Sequence, residues 1–144
     1  MSTDQRLDLS TLEQGSVLRE MTKEIVQENV ALYAEASKDF NPIHIDEEFA
    51  RNTPLGGTIA HGMLILAYVS QMMISNFGQD WLVGGKLNAR FKAPARPGDT
   101  ITVSGTVRKI ENDEGRTFIK CDILCQNQAG ETVIAGNGTL TVNT

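Results

Sequence analysis

Hydrophobic and polar positions follow a helical spacing in one early stretch of the chain. From Gln27, the segment QENVALYAEAS places Val30, Ala31 and Ala34 on one side of a helix that is predicted to end near Asp39. Just before it, GSVLREMTKEIV has the β-branched residues of a strand, although its alternation is imperfect. The chain therefore opens with a predicted strand followed by a helix.

A second helical stretch, HGMLILAYVSQMMISNF, is apolar on nearly every side. A helix of this kind is normally surrounded by other structure. The uncharged span around it also contains glycines, a proline, a histidine and several hydroxyl and amide side chains, too many for a membrane-spanning segment. We therefore predict a long helix in the centre of a water-exposed fold, with no membrane association.

The rest of the chain alternates with the period of two that strands have. LVGGKLNARFKAP, TITVSGTVRKI, RTFIKCDILCQN and TVIAGNGTLTV are joined by short polar turns, which predicts an antiparallel meander. The predicted fold class is α+β, with one long central apolar helix wrapped by an antiparallel sheet of about five strands. A single domain is expected over residues 1–144, of which 1–13 form a loose lead-in. Because such a sheet leaves an exposed edge, we expect a homodimer.

Composition narrows the partners and the location. A net charge of −5 at pH 7 argues against nucleic acid, whose phosphates need a basic surface. The polar N-terminal stretch has no apolar segment of signal-peptide length, so a cytoplasmic location is expected. Cys121 and Cys125 fall on the same face of a strand; two buried thiols are the expectation, with a disulfide or metal pair as the alternative.

The densest chemistry lies in SKDFNPIHIDEEFA, which holds one of only two histidines in the chain. Pro42 disfavours helix at the residue before it, so DFNPIH is predicted to be a loop. Asp46 follows as the cap of a short helix, EEFAR. A structural interpretation would have Asp39 tighten the turn and leave His44 as a hydrogen-bonded polar residue.

Two chemical interpretations compete with the structural one. In the first, His44, Asp46 and His61 ligate a metal, although Asp46 is better used as a helix cap. In the second, Asp39 and His44 share one water molecule as an acid–base pair on a proline-braced loop. Acid–base chemistry on a carbonyl compound also needs a group that stabilises negative charge. That group is predicted to be the amide of Gly62 at the start of the long helix, with His61 fixing the loop through a hydrogen bond.

DFNPIHIDEEFA followed by IAHGMLILAYVS resembles the signature of the MaoC-like dehydratases, the (R)-specific enoyl-CoA hydratases of the hot-dog fold, and the similarity extends over nearly the whole chain. The resemblance implies that Asp39 and His44 activate the water and that Gly62 receives the thioester carbonyl. It also implies that Ser70 hydrogen-bonds the catalytic aspartate and that Asn41 shapes the loop or contacts the water. The implied metal content is none, and the implied substrate is a coenzyme A or acyl-carrier thioester with no separate cofactor.

Several alternatives remain beside that implied activity. They are a 3-hydroxyacyl-acyl-carrier-protein dehydratase, a hot-dog thioesterase and a non-catalytic acyl-thioester-binding subunit. A thioesterase would place a carboxylate on the central helix, which here has none between Gly62 and Phe77. Arg90, Lys92 and Arg96 form a basic run that would meet coenzyme A phosphates or an acidic carrier protein, or simply face solvent. One departure from the family is Thr58, where many members have proline, which predicts a looser entry to the central helix.

Overall fold

Five antiparallel strands form one sheet in the computed structural model, which describes residues 6–143. The strands are β1 (Met21–Glu24), β2 (Lys86–Phe91), β3 (Thr100–Asp113), β4 (Arg116–Gln126) and β5 (Thr132–Asn143). Their order in the sheet is β1-β3-β4-β5-β2, so β1 and β2 are the edges. The predicted α+β class and the five-stranded antiparallel sheet are confirmed.

Two hairpins make β3, β4 and β5 the centre of the sheet. The first turns at Glu114 and Gly115, whose φ angles of 47° and 77° give the positive backbone torsions that suit a tight hairpin. Burial alternates along the whole of β4, so one face of that strand carries the core side chains. A bulge between Val107 and Lys109 interrupts the β3–β4 register, which adds a local bend to the sheet.

Cys121 and Cys125 lie on the inward face of β4, and both thiols are free and buried. Four positions along a strand separate them by about 13 Å, well beyond the reach of a disulfide. Burial raises the pKa of each thiol to about 12. The expected pair of buried thiols is confirmed, and the alternative of a bridged or shared metal pair is wrong.

The described residues also form five α-helices and a short 3-10 turn at Leu9–Thr11. In chain order, the α-helices are α1 (Gln27–Ser37), α2 (Pro42–Ile45), α3 (Glu47–Arg51), α4 (Gly62–Phe77) and α5 (Gln79–Gly84). The inner face of α4 packs on the sheet through Ile65, Val69, Met72, Met73 and Phe77, all at most 2% exposed. None of the described helices has the length and apolar character needed to cross a bilayer.

The sequence predicted that structure would surround α4, but in the single chain a sheet can cover only one side of it. The opposite face carries Met63, which is 58% exposed, and Ile74, which is 37% exposed. An apolar helix therefore presents an uncovered stripe on the surface of the protomer.

Three segments differ from their predicted elements. DFNPIH is not wholly a loop, because Pro42 opens the one-turn helix α2. Proline suits the first helical position, where its missing N–H has no helical partner, so the non-helical part of the segment is limited to Asp39, Phe40 and Asn41. Leu82, Val83 and Gly84 end α5 instead of beginning a strand, and Gly85 alone separates that helix from β2. The first strand is reduced to β1, with one further bridge between Val17 and Thr106.

The predicted loose lead-in, residues 1–13, falls partly outside the described residues, since 1–5 are not described. Within the described part, Leu7, Leu9 and Leu12 pack against the core. The N–H of Leu7 also donates to the carbonyl of Asn76 near the end of α4, 2.7 Å away. This part of the lead-in is therefore attached to the fold.

Candidate active site

Asp39 and His44 are held by the turn that joins α1 to α2. Lys38 ends α1 in the left-handed region, with a φ of 63°, and the chain then reverses. The N–H of Asn41 donates to Asp39 Oδ1 at 3.2 Å, and Asn41 Oδ1 in turn accepts from the N–H of Ile43 at 3.2 Å. These short-range bonds fix the spacing between the carboxylate and the imidazole. Asn41 thus shapes the loop by capping α2.

The carboxylate of Asp39 faces the ring of His44 across a gap. Asp39 Oδ2 and His44 Nε2 are 3.9 Å apart, which is too long for a direct hydrogen bond. A water molecule about 2.8 Å from each atom fits that separation. His44 is 7% exposed, whereas the side chain of Asp39 is 52% exposed, so the pair lies at the boundary between the fold and the solvent.

The other nitrogen of His44 decides which atom can accept a proton. His44 Nδ1 lies 2.8 Å from the carbonyl oxygen of Ile59. Because a carbonyl only accepts, the hydrogen belongs to Nδ1, and in the neutral ring Nε2 is then bare. The arrangement therefore directs a lone pair of the imidazole toward the gap beside Asp39.

His61 contacts both members of this pair. It precedes α4, and its Nε2 donates to the backbone carbonyl of Asp39 at 3.0 Å, which confirms the predicted loop-fixing hydrogen bond. Its ring stacks on His44 with a centroid separation of 3.7 Å and an interplanar angle of 23°. The rings of Tyr33 and His61 pack edge to face, with 4.8 Å between their centroids. These contacts fix the position and the orientation of the His44 ring.

Asp39, His44 and His61 place one potential ligand atom each within 4.8 Å of one another. The lone pairs of an imidazole lie in the ring plane, so two stacked rings direct theirs nearly parallel instead of toward one point. The metal set predicted from the sequence was His44, Asp46 and His61, but Asp46 Oδ1 instead accepts from the N–H of Phe49 and caps α3. The geometry thus suits an acid–base pair better than a metal.

Gly62, the first residue of α4, faces an apolar pocket of about 360 Å³. Its N–H is one of those at a helix start that have no partner within the helix. A Cβ at this position would lie 2.9 Å from Cε1 of Phe91, which also lines the pocket, so glycine permits the close approach of the two segments. Asp39 and His44 do not line this pocket; Ile59 connects the two, because it lines the pocket and binds His44.

Ser70 lies elsewhere. Its hydroxyl accepts a hydrogen bond from Trp81 Nε1 at 3.1 Å, on the side of α4 that meets α5. Within the described residues of the single chain, no hydrogen bond joins Ser70 to Asp39. The structure therefore brings together Asp39, Asn41 and His44, and it places Gly62 directly after His61, which contacts both Asp39 and His44. In the single chain it does not bring Ser70 to the pair.

The basic run extends past the end of β2. Arg90 and Lys92 are exposed, and Lys92 lines the pocket beside Gly62. No ion pair in the described part of the chain involves Arg90, Lys92 or Arg96. Of these three basic residues, Lys92 is the one that lines the pocket beside Gly62.

Sequence reasoning missed the partners that orient His44. Ile59 acts through its backbone carbonyl, which residue identity does not reveal. Thr58 was predicted to loosen the entry to α4, but it is 5% exposed and hydrogen-bonded to Glu47 and Gln27. The expected looseness is wrong; the departure from proline was the one signal that this position is special.

Residues 8–123 match the family described as MaoC like domain. An (R)-specific enoyl-CoA hydratase of Rhodospirillum rubrum is 32% identical over 122 residues, 85% of this chain and 83% of the relative. A mitochondrial 3-hydroxyacyl-acyl-carrier-protein dehydratase of Arabidopsis thaliana is 29% identical over 123 residues, covering 85% and 72%. The unliganded structure of R-hydratase PhaJ1 from Pseudomonas aeruginosa superposes with a TM-score of 0.77 at 28% identity, covering 94% and 89%.

Proposed function

Because the chain belongs to the MaoC-like dehydratase family, we propose that it is an (R)-specific enoyl-CoA hydratase. It adds water reversibly across the double bond of a trans-2-enoyl thioester to give an (R)-3-hydroxyacyl thioester. The reaction is redox-neutral and all its atoms come from water and the thioester, so the assignment requires no cofactor beyond the carrier on the substrate itself.

In the proposed mechanism, His44 Nε2 takes a proton from water as the water oxygen bonds to Cβ. Asp39 receives the proton that His44 removed from the water and delivers it to Cα, so that the net addition is one hydroxyl and one hydrogen and both side chains return to their starting states. The electrons of the double bond move toward the thioester carbonyl, and the N–H of Gly62 stabilises the enolate-like oxygen. Dehydration is the same path in reverse.

The single observation that carries this proposal is the 3.9 Å gap between Asp39 Oδ2 and His44 Nε2. The carbonyl of Ile59 supports it, because a protonated Nδ1 leaves Nε2 free to act as the base. Proximity also matters, since two groups held around one water lower the entropic cost of its activation. Ser70 is proposed to act on Asp39 only if a second copy of the chain brings it there.

The carrier is proposed to be coenzyme A, with an acyl carrier protein as the second candidate. The Rhodospirillum rubrum relative is named for an enoyl-CoA substrate and the Arabidopsis thaliana relative for an acyl-carrier-protein substrate. Lys92 at the pocket, with Arg90 nearby, offers positive charge that either carrier would use. Rates with C4, C6 and C8 enoyl-CoA against the matching carrier-protein thioesters decide between them.

A homodimer in the cytoplasm is proposed as the working form. The edge strand β2 has one unpaired side and Phe91, near its end, is 55% exposed. Leu82 and Val83, just before β2, are 66% and 82% exposed. Pairing two such edges would cover these side chains. Light scattering should give twice the 15.7 kDa of the chain; a monomer would instead favour a dissimilar partner.

Hydration of crotonyl-CoA tests the activity directly. We expect His44→Ala and Asp39→Ala each to lower kcat/KM by about a hundredfold or more, because each removes a proton-transfer group. Asp113→Ala, an exposed carboxylate at the far end of β3, is the matched control and should keep the parent rate. If both site variants stay within about tenfold of the parent, the roles of Asp39 and His44 must be abandoned.

Product analysis separates hydration from the two rival activities. Release of free thiol from crotonyl-CoA would indicate a thioesterase. Binding without turnover by the homo-oligomer would indicate a non-catalytic acyl-thioester subunit. Formation of the S enantiomer of 3-hydroxybutyryl-CoA would contradict the R specificity.

A further inference from the structure

Three side chains from separate segments of the chain meet where the chain enters α4. Thr58 lies in the extended segment before α4, Glu47 is the first residue of α3, and Gln27 is the first residue of α1. The N–H of Thr58 donates to Glu47 Oε2 at 3.2 Å. The hydroxyl of Thr58 lies 2.9 Å from the same carboxylate oxygen and 2.8 Å from Gln27 Oε1. We call these three residues the Thr58 clamp.

The clamp continues directly to the backbone of His44. Gln27 Nε2 donates to the carbonyl oxygen of His44 at 2.8 Å. Since that carbonyl can only accept, the orientation of the Gln27 amide is fixed, and its Oε1 must face the hydroxyl of Thr58. A hydroxyl has one proton, so Thr58 Oγ1 donates to Gln27 while its N–H holds Glu47. The bonds therefore run from Glu47 through Thr58 and Gln27 to His44.

The residue after the clamp is the one that sets the ring of His44. The carbonyl of Ile59 accepts from His44 Nδ1 at 2.8 Å, and the N–H of Ile59 donates to the carbonyl of Ile43 at 3.0 Å. His44 is thus held at its backbone by Gln27 and at its ring by Ile59, and both of these contacts depend on where Thr58 lies. A shift of Thr58 would move both supports at once.

We propose that Gln27, Glu47 and Thr58 are positioning residues for the hydration reaction. They keep the Ile59 carbonyl against His44 Nδ1, so that Nε2 stays unprotonated and directed at the gap beside Asp39. None of the three lines the pocket beside Gly62, so they act on catalysis through His44 and not on substrate binding. This inference rests on the proposed role of His44 as the base.

Alignment of a catalytic group affects turnover more than affinity when the group does not hold the substrate. Removing the hydroxyl of Thr58 also leaves Gln27 Oε1 without its donor in a partly buried site, which favours a different local arrangement. The clamp therefore predicts a fall in kcat with little change in KM. A residue that only stabilises the fold would lower the unfolding temperature and leave kcat of the folded enzyme unchanged.

The test compares Thr58→Val, which keeps the shape and the N–H but lacks the hydroxyl, with Thr58→Ser, which restores it. With crotonyl-CoA, we expect Thr58→Val to lower kcat about tenfold with KM within about twofold, and Thr58→Ser to recover most of kcat. Thr117→Val is the matched control: Thr117 is 7% exposed, and its hydroxyl donates to Asn112 Oδ1 at 2.7 Å in the distant β3–β4 hairpin. It should lose stability without losing kcat.

Spectra of the full-length protein with 15N-labelled histidine give a second readout. The parent should show His44 with a protonated Nδ1 and a bare Nε2, whereas Thr58→Val should show a mixture of the two tautomers. Gln27→Met, which removes both bonds of the amide, should reproduce the kinetic and spectral changes and serves if Thr58→Val does not fold. The double variant Gln27→Met, Thr58→Val should lose less transition-state stabilisation, measured from kcat, than the sum of the losses in the two single variants, because both substitutions act through one set of bonds.

The proposal is overturned if Thr58→Val or Gln27→Met folds and keeps the parent kcat and tautomer, or if Thr117→Val lowers kcat equally. The proposed function itself is contradicted by a different result, namely that His44→Ala retains activity. That conclusion holds whatever the activities of the clamp variants. The two failures are therefore distinguishable in one set of assays.

Discussion

The loop region from Asp39 to Gly62 and the central strands β3 to β5 use their side chains in opposite ways. In the strands, inward positions are apolar and buried, while the main chain bonds to neighbouring strands. In the loop region, polar side chains bond to the main chain itself, as His44 does with Ile59 and His61 does with Asp39. The sheet therefore determines whether the chain folds, and the loop region determines which atom is free to accept a proton.

The largest expected effect tests the sheet. Leu140 on β5 is 2% exposed and lies opposite Ile119 of β4. Truncation by Leu140→Ala removes buried contacts and leaves a cavity, so the free energy of unfolding should fall by about 3 kcal/mol. Urea denaturation measures that loss. Below the unfolding transition, kcat/KM for crotonyl-CoA should remain within about twofold of the parent, because no loop contact changes.

The matched control is Leu32→Ala on α1, where the side chain is 59% exposed. Little contact area is lost there, so stability should change by no more than about 0.5 kcal/mol. Should Leu140→Ala lower the activity of the folded enzyme as strongly as its stability, the sheet and the loop region would not be separable.

Gly62→Ala should lower activity without lowering stability, which is the reverse of the effect expected for Leu140→Ala. The residue is helical and not in the left-handed region, so the gain from alanine should offset the cost of displacing the exposed ring of Phe91, and the free energy of unfolding should change by less than about 1 kcal/mol. The new Cβ, 2.9 Å from the ring of Phe91, pushes that ring and narrows the approach to the Gly62 amide. We expect kcat/KM to fall by about 30-fold, equivalent to about 2 kcal/mol of transition-state stabilisation.

Gly84→Ala provides the comparison for Gly62→Ala. Gly84 ends α5, has a negative φ, and a Cβ there would meet nothing within 4 Å. Stability should be unchanged or slightly higher, and kcat/KM should equal that of the parent. If both glycine variants keep full activity, close approach to Gly62 is not needed for the reaction.

The same contrast explains what the sequence could predict. Strands were predictable because residues such as Ile119 and Ile123 repeat with the period of two, and the motif residues Asp39, Asn41 and His44 were predictable because they lie within six positions of one another. The clamp could not be predicted, since Gln27, Glu47 and Thr58 lie in three separate segments of the chain that only the tertiary fold brings together. The role of Ile59 lies in its backbone carbonyl, which every residue has. The uncovered face of α4 also escaped prediction, because an apolar pattern does not say whether the same chain or another copy covers it.

The smallest expected effect concerns the pH dependence of stability, which should originate in the loop region. The thiols of Cys121 and Cys125 have pKa values of about 12 and stay neutral at any pH used for folding. The hydrogen bond from the N–H of Thr58 holds the pKa of Glu47 below its ordinary value. Since the folded-state pKa is below the unfolded one, ionised Glu47 stabilises the fold above its unfolded pKa, and this contribution is lost as the pH falls through the folded pKa.

Glu47→Gln should therefore be less stable than the parent near pH 7, and the difference in free energy of unfolding should shrink as the pH falls to about 3. Glu48→Gln is the control, because Glu48 lies in the same first turn of α3, and within the described residues its carboxylate takes part in no ion pair. Its difference from the parent should vary less with pH. Denaturant titrations of the three proteins between pH 3 and pH 7 measure both differences. Equal pH dependence in the two variants would mean that Glu47 contributes only the general helix-start charge, and that the hydrogen bond from the N–H of Thr58 does not distinguish it from its neighbour.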